Sequence, residues 1–146
     1  MKLNLGCGQD VRTNYVNIDI QGGPGVIKGD FKVLDSVQEI KGQKFDEIVA
    51  IDVLRHIAPA ELGTIIPQWA SLLEPGGTIY FESLDYNLLG VILQYDQTQT
   101  EQICQLIYPS VGIYNLIEFE AFLKRLGLET QMKGYTNPSF FITVKK

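Results

Sequence analysis

A short apolar strand runs directly into closely spaced glycines at the start of the sequence. Leu3 and Leu5 alternate with polar residues, and Gly6-Cys7-Gly8 follows at once. Glycines at the end of a strand can adopt left-handed turns and leave room for a ligand to approach the backbone. In an open α/β sheet, the carboxyl ends of the strands border the ligand crevice. These residues therefore predict an α/β protein with a binding site at the end of its first strand.

The glycine spacing excludes two common nucleotide sites. A dinucleotide fingerprint needs a third glycine where Val11 stands, and a phosphate-binding loop needs a Gly-Lys-Ser/Thr triplet that the sequence lacks. Gly22-Gly23-Pro24-Gly25 contains no lysine, so we interpret it as a loop. Asp19 ends a second alternating strand, where a carboxylate can accept hydrogen bonds from both hydroxyls of a ribose. The pattern favours an adenosine-bearing ligand without a pyrophosphate.

Strand and helix patterns alternate along most of the chain. We predict strands over 2–6, 15–20, 26–28, 45–51, 77–83, 128–135 and 140–145, and helical segments over 59–74 and 115–126. This alternation is typical of a parallel sheet covered on both faces. The turn cluster at 136–139 predicts that the last two strands run antiparallel.

Particular residues set the helix boundaries. Asn115 followed by Glu118 has the spacing of a capping box, and Gly127 stands where a left-handed C-cap belongs. Pro67 falls inside the first helical segment, where a proline removes a backbone hydrogen bond. We therefore expect a break near 65–66, with Pro67 starting a second helix.

Five segments follow one another over about the first three-fifths of the chain. They are LNLGCG at 3–8, VNIDI at 16–20, GDF at 29–31, FDEIVAIDVLRHI at 45–57 and LLEPGGTIYFES at 72–83. In order and spacing they resemble the class I S-adenosylmethionine-dependent methyltransferases. The resemblance implies a Rossmann-like three-layer αβα sandwich, with a mostly parallel seven-stranded sheet whose last strand is antiparallel. It also implies S-adenosyl-L-methionine as the cofactor and a single domain over 1–146.

The resemblance implies roles for residues at the ends of the strands. Gly6 and Gly8 would let the backbone approach the methionine and ribose, and Asp19 would accept from the ribose hydroxyls. Asp30 and Phe31 match the adenine-binding position, although Asp30 could instead cap a helix. The expected cofactor-binding residues are Asn4, Gly6, Cys7, Gly8, Asp19, Ile20, Asp30, Phe31, Ile51 and Asp52.

No catalytic residue and no metal ligand is assigned from the sequence. Cys7 is interpreted as a small buried residue because no partner histidine is identifiable. His56 follows Arg55, where the family often has a glutamate, so a structural role for His56 is favoured over that of a general base. Ser83 and Asp85 end the fifth strand and are expected to face the substrate.

Composition and charge restrict the partners. A formal net charge of −5 without a lysine and arginine cluster argues against nucleic acid and anionic lipid, which leaves a small-molecule substrate. Neither a run of eighteen apolar residues nor a signal peptide is visible, so we expect no membrane span. Two cysteines are too few for a disulfide framework and favour a reducing cytoplasm.

Two departures from the family pattern concern the cover of the site. The first strand begins at residue 2, so we expect the preceding helix that helps to cover the cofactor to be missing. Between Gly8 and Asp19 at most one or two helical turns fit. Residues 86–114 are then expected to form a lid or substrate-binding insertion, and a homodimer or a partner chain could cover the open site.

Three functions remain open at this point. The favoured one is S-adenosylmethionine-dependent methyl transfer to a small-molecule or saccharide-type acceptor. The alternative is a non-catalytic cofactor-binding or partner module with a degenerate methyltransferase fold, which the missing cover and the replaced Glu-His pair motivate. A nicotinamide-dependent oxidoreductase is the third, and the absent third glycine argues against it.

Overall fold

A single seven-stranded sheet organises the protein, whose computed structural model describes residues 1–95, 107, 110–136 and 138–146. The strands are β1 (Lys2–Leu5), β2 (Tyr15–Asp19), β3 (Val26–Lys28), β4 (Phe45–Ile51), β5 (Leu73–Leu84), β6 (Glu129–Tyr135) and β7 (Ser139–Lys145). Their order across the sheet is β3-β2-β1-β4-β5-β7-β6. The first five strands pair in parallel, and β7 runs antiparallel to both β5 and β6. The predicted sheet, with its reversed last strand, is confirmed.

Helices flank the sheet on both sides. The described α-helices are α1 (Leu62–Ser71), α2 (Tyr86–Tyr95) and α3 (Leu116–Arg125), and 3-10 turns span Leu34–Ser36, Gln38–Ile40, Leu54–His56 and Pro59–Glu61. Helices α1 and α3 pack on one face of the sheet, which we call the covered face. Leu89 of α2 packs against Leu84, which alternation along β5 directs to the opposite face. The expected three-layer arrangement is therefore confirmed.

The main core lies between the covered face and helices α1 and α3. One row of buried side chains crosses four neighbouring strands in register: Leu5, Ala50, Phe81 and Ile142. Trp69 of α1 stacks on Phe81 with the ring centroids 6.1 Å apart, and Phe119 of α3 meets the same ring edge-on at 5.1 Å. Burial of these large rings fixes both helices against the sheet.

Helix α1 continues through Pro67, so the predicted break near 65–66 is wrong. A proline at this position removes the hydrogen bond to the carbonyl of Gly63. Both Gly63 and Pro67 are exposed, and water can therefore solvate that carbonyl. Ile66 and Trp69 are fully buried on the other side of the helix, and their packing holds it together across the missing bond.

The carboxyl-terminal elements follow the predicted signals. The Asn115 side chain accepts a hydrogen bond from the Glu118 backbone N–H at 2.9 Å, and Gly127 adopts a φ of 78° after α3. The Thr136 N–H donates to the Ser139 carbonyl at 2.8 Å across the turn that joins β6 and β7. Asn137, which we placed in this turn, lies outside the described residues.

The segment between β5 and α3 is described only in part. Helix α2 occupies its first ten residues, and Tyr114 near its end pairs with Asp85 in an isolated bridge. Residues 96–106 and 108–109, including Cys104, lie outside the described part, so a lid over 86–114 stays a prediction. Within the described ranges no helix is long and apolar enough to cross a membrane.

Candidate functional site

A cavity of about 440 Å³ opens at the carboxyl ends of β1, β2 and β4. We call it the first cavity. It is lined by Gly6, Gly8, Asp19, Ile20, Asp30, Phe31, Lys32, Ile51, Asp52, Val53 and His56. Eight of the ten residues expected from the sequence line it, although they come from four separate segments of the chain. Parallel strands bring these segments together because their carboxyl ends meet at one edge of the sheet.

The glycine loop after β1 needs its glycines for two different reasons. Gly6 has a φ of 59°, and a Cβ atom there would lie 2.8 Å from a methyl group of Val53. Gly8 has a φ of 49°, and a Cβ there would meet nothing within 4 Å. The first glycine therefore allows close packing, whereas the second leaves open space over the backbone that a ligand can fill.

Asp19 bridges the glycine loop and the turn after β2. One carboxylate oxygen accepts from the Gly8 N–H and the other from the Gln21 N–H, each at 3.0 Å. A carboxylate oxygen can accept two hydrogen bonds, so both oxygens keep capacity for a further donor. Asp19 is thus fixed by the protein and can still accept from a pair of hydroxyls.

Asp30 and Phe31 form the wall after β3, and the core holds this wall in place. An oxygen of Asp30 accepts from the Lys32 N–H at 2.8 Å, which makes a local turn. The next 3-10 turn is capped by Val33, so the alternative that Asp30 caps a helix is wrong. The buried indole N–H of Trp69 donates to the Phe31 carbonyl at 2.8 Å, and the two rings pack edge-on at 6.1 Å.

The end of β4 supplies the opposite wall. Asp52 adopts a φ of 56°, and its N–H donates to the Glu82 carbonyl at 2.8 Å. A left-handed conformation costs free energy in a residue other than glycine, and the surroundings must hold it. The exposed His56 follows one 3-10 turn later and also lines the cavity, which keeps its role as a base a hypothesis.

Asn4 and Cys7 do not line the first cavity. Asn4 is 2% exposed, and its amide donates to Asn17 Oδ1 at 3.1 Å and to the Asp10 carbonyl at 2.7 Å. Cys7 is 6% exposed, and its N–H donates to the Ile18 carbonyl. Burial raises the pKa of the Cys7 thiol, which agrees with its interpretation as a packed residue and not a nucleophile. Both residues therefore hold the glycine loop in place through hydrogen bonds outside the cavity.

Lys32 and Val53 line the cavity but were not among the expected residues. Each directly follows an expected pair, so continuing Asp30-Phe31 and Ile51-Asp52 by one residue would have found them. The Lys32 ammonium pairs with Glu61 at 2.8 Å, and this contact lowers the pKa of the Glu61 carboxyl. Lys32 thereby ties the wall after β3 to the turn before α1.

Asp85 was expected to face the substrate, but in the structure it is buried and accepts hydrogen bonds from backbone N–H groups at the starts of two helices. It is 1% exposed, and its carboxylate accepts from the N–H groups of Asn87, Leu88 and Leu116. These contacts satisfy the first turns of α2 and α3. Ser83, in contrast, does line a cavity at this edge.

A second cavity of about 310 Å³ adjoins the first. Its lining consists of Ile51, Asp52, Arg55, Glu82, Ser83, Leu84, Pro138 and Ser139. Ile51 and Asp52 belong to both cavities. No group of three or more metal-ligating side chains occurs within the described ranges.

The chain is similar to known proteins in its fold but not in its sequence. No family model and no curated protein sequence matches the chain. The PH0226 protein from Pyrococcus horikoshii OT3 matches over 99% of this chain and 80% of its own, with a TM-score of 0.68 and 18% identity. An O-methyltransferase family protein from Burkholderia thailandensis matches 99% of this chain with a TM-score of 0.68 and 10% identity, and this chain spans only 50% of it.

A third structure with the same score has ligands bound. It is the 1,6-didemethyltoxoflavin-N1-methyltransferase of B. thailandensis with 1,6-didemethyltoxoflavin and S-adenosylhomocysteine, at TM-score 0.68 and 14% identity. The match covers 99% of this chain and 70% of that one. The fold is that of the class I methyltransferases. This methyltransferase fold extends over the whole chain, whereas the sequence resemblance covered only its first three-fifths or so.

Proposed function

We propose that the protein transfers a methyl group from S-adenosyl-L-methionine to a small-molecule or saccharide-type acceptor. The observation that carries this proposal is the first cavity, which unites the glycine loop, Asp19 and the Asp30-Phe31 wall on a methyltransferase fold. Its volume of about 440 Å³ falls within the range of small-molecule and cofactor sites.

The residues present fit the proposed cofactor. The open space over Gly8 can take a bulky group close to the backbone. Asp19 keeps acceptor capacity on both oxygens, as a ribose with two hydroxyl donors requires. Phe31 offers an aromatic ring and Asp30 a carboxylate to an adenine with its exocyclic amine.

The chain contributes mainly binding and orientation. The cofactor, when bound, supplies an activated methyl group on a sulfonium, so the difficult chemistry belongs to the ligand. Asp19 and the Asp30-Phe31 wall would hold its nucleoside, and Ile51 and Asp52 would border its methionine part beside the second cavity. Alignment of donor and acceptor in this way can contribute roughly 7–11 kcal/mol to lowering the barrier. No base is assigned, and His56 is the candidate that the cavity offers.

Calorimetric titration with S-adenosylmethionine and S-adenosylhomocysteine tests the proposal. We expect both to bind, and Asp19→Ala to weaken binding by about 1.5–3 kcal/mol, since hydrogen bonds to a carboxylate are lost. Asp35→Ala is the matched control, because Asp35 is exposed and does not line the first cavity. Absence of binding at millimolar ligand, or equal affinity in a folded Asp19→Ala variant, would contradict the proposal.

A non-catalytic module is the second candidate function. It is favoured by Arg55, which stands before His56 where the family resemblance has a glutamate, and which pairs with Asp52 at 3.1 Å. Cofactor binding without methyl incorporation across broad pools of metabolites would support this candidate. A cofactor-dependent methylated product would remove it.

A further inference from the structure

The second cavity shares a wall with the first. Ile51 and Asp52 line both, and Glu82 stands next to Ile51 in register on β5 and lines the second cavity. With a volume of about 310 Å³, the second cavity can hold a molecule of the size of a substituted benzene ring. A ligand there would lie directly beside whatever fills the first cavity.

The charge of Asp52 is already balanced by a neighbour. The Arg55 guanidinium donates to an oxygen of Asp52 at 3.1 Å. The Arg55 side chain is only 11% exposed, whereas that of Asp52 is 54% exposed. The pair therefore adds polar atoms to the cavity without adding net charge.

Glu82 is different because no cation among the described residues pairs with it. The Tyr80 hydroxyl donates to one carboxylate oxygen at 2.8 Å, and the other oxygen lies 3.5 Å from the Thr136 hydroxyl. Burial, together with the hydrogen bond to Glu82, raises the pKa of Tyr80 to about 12, so the phenol remains a donor at neutral pH. Glu82 is thus held in place and keeps one oxygen with spare acceptor capacity.

Ser83 adds a hydroxyl to the lining of the same cavity. It is 3% exposed and lines the second cavity, and its hydroxyl makes no hydrogen bond to another residue in the described ranges. A hydroxyl can both donate and accept, so it offers a ligand a polar contact. The cavity therefore combines a carboxylate that has no ion pair among the described residues with a serine hydroxyl.

We propose that the second cavity is the acceptor subsite and that it takes a small amine, bound through the Glu82 carboxylate. The inference rests on the proposed methyl transfer and names its substrate class. An ammonium group would balance the charge of Glu82 and donate to the carboxylate oxygen that keeps spare acceptor capacity. An anionic acceptor would instead be repelled, and a neutral alcohol would leave the charge unbalanced.

An amine acceptor would react in two steps, a proton loss and a methyl transfer. The ammonium first loses a proton to water, which frees the lone pair on nitrogen. The nitrogen–carbon bond would form from that lone pair as the bond between the methyl carbon and the sulfonium sulfur breaks, and the bonding electrons would stay on sulfur, leaving a neutral thioether. The methylated nitrogen then carries one positive charge, which Glu82 can stabilise or which a second proton loss removes. The rate should consequently rise with pH as the free amine becomes more abundant.

Binding of three matched probes tests the inference without requiring turnover. The probes are benzylamine, benzyl alcohol and benzoate, titrated by NMR into protein saturated with S-adenosylhomocysteine. We expect benzylamine to bind about tenfold more tightly than benzyl alcohol, and benzoate more weakly than both. In Glu82→Gln, which keeps an acceptor for the Tyr80 hydroxyl, the preference should fall to less than about twofold.

The control variant Glu74→Gln and the binding of S-adenosylhomocysteine distinguish failure of the amine subsite from failure of the proposed function. Glu74→Gln removes the same charge at the other end of β5, where Glu74 is exposed, and should keep the preference for benzylamine. Glu82→Asp should retain part of it, because the charge remains. If S-adenosylhomocysteine binds but the three probes bind equally well, or Glu82→Gln keeps the preference, the amine subsite is wrong while the proposed function stands. Failure of S-adenosylhomocysteine itself to bind would overturn both.

Discussion

The covered face of the sheet is lined by aliphatic and aromatic side chains, whereas the opposite face carries amides and charged groups along the same strands. Leu3 and Leu5 of β1 are fully buried on the covered face, and Asn4 between them faces the other way. On that opposite face Asn4 pairs with Asn17, and Lys2 pairs with Glu47. Along this one strand, the apolar side chains are therefore buried on the covered face, and the polar side chains form pairs on the opposite face.

Each face stabilises a different segment at or next to the first cavity. The covered face acts through Trp69, which reaches the Phe31 carbonyl. The opposite face acts through Asn17, whose side chain accepts from the Arg12 N–H and donates to the carbonyls of Arg12 and Tyr15. These bonds fasten the irregular segment after the glycine loop, among whose described residues the structure has no helical turn. These side-chain hydrogen bonds of Asn17, which we call the Asn17 clamp, hold this segment in place without a packed helix.

Trp69→Ala should give the largest effect on the covered face. Loss of a fully buried indole leaves a cavity and removes the contacts to Phe31 and Phe81, so we expect a loss of about 3–5 kcal/mol in the free energy of unfolding. Urea denaturation measures it. Ile117→Ala is the control, because Ile117 is 69% exposed on α3 and should change stability by less than about 0.5 kcal/mol.

Asn17→Ala tests whether the Asn17 clamp contributes to the free energy of unfolding on a scale comparable with Trp69 on the covered face. The substitution removes one of the two hydrogen bonds of the buried Asn4 amide and leaves the Arg12 N–H without its side-chain acceptor, and we expect a loss of about 2–3 kcal/mol in the free energy of unfolding. The loss should be accompanied by weaker S-adenosylhomocysteine binding, since the glycine loop is no longer fastened. Asn87→Ala, at an exposed amide on α2, is the comparison. Equal stability of the two variants would show that the opposite face contributes little.

Glu120 of α3 forms an ion pair with Lys133 of the edge strand β6, and the stability that this pair contributes depends on pH. Glu120 is 8% exposed, and hydrogen bonding to Lys133 lowers its pKa from 4.5 to about 2. Because the folded pKa lies below the unfolded one, its contribution is complete above about pH 4.5 and is lost as the pH falls through about 2. We expect Glu120→Gln to be about 1–2 kcal/mol less stable than the parent at pH 7 and nearly equal to it near pH 2.

Denaturation at several pH values checks this dependence. Glu129→Gln, at an exposed carboxylate at the start of β6, should follow the parent protein throughout. A constant difference between Glu120→Gln and the parent from pH 7 to pH 2 would contradict the assignment.

Lys2→Met should give the smallest effect. The Lys2–Glu47 pair is 3.1 Å long, but the two side chains are 46% and 30% exposed. Glu47 also keeps its hydrogen bond from the Tyr15 hydroxyl. Exposed ion pairs contribute little, so we expect no shift of the melting temperature beyond experimental error in thermal denaturation. A larger shift would mean that charge pairing, and not the Asn17 clamp, dominates the opposite face.

Most of the sheet could be predicted from the sequence because each strand carries a local pattern. The apolar run of β4 and the glycines that follow β1 depend only on neighbouring residues, and the structure places them as expected. Pro67 shows the limit of such reasoning. Whether a helix survives a proline depends on the exposure of the Gly63 carbonyl and on the burial of Trp69, which are properties of the fold.

In the candidate site too, local sequence patterns predicted some residues, whereas the placement of others depends on the fold. Strand ends with glycine or aspartate predicted eight of the residues that line the first cavity. Asn4 and Asp85 were misplaced because buried polar side chains also occur at or near strand ends when they satisfy the backbone of other segments. Their partners, Asp10 and Leu116, come from turns and helix starts whose position only the folded chain reveals.

The bond between Trp69 and Phe31 also has an optical consequence. Trp69 is the one tryptophan of the sequence, and its indole N–H donates to a carbonyl in the wall of the first cavity. Any ligand that shifts this wall changes the length of that bond and the polarity around the ring. The intrinsic fluorescence of the unmodified protein therefore reports on occupancy of the first cavity from inside the core, without a label and without contact between ligand and fluorophore.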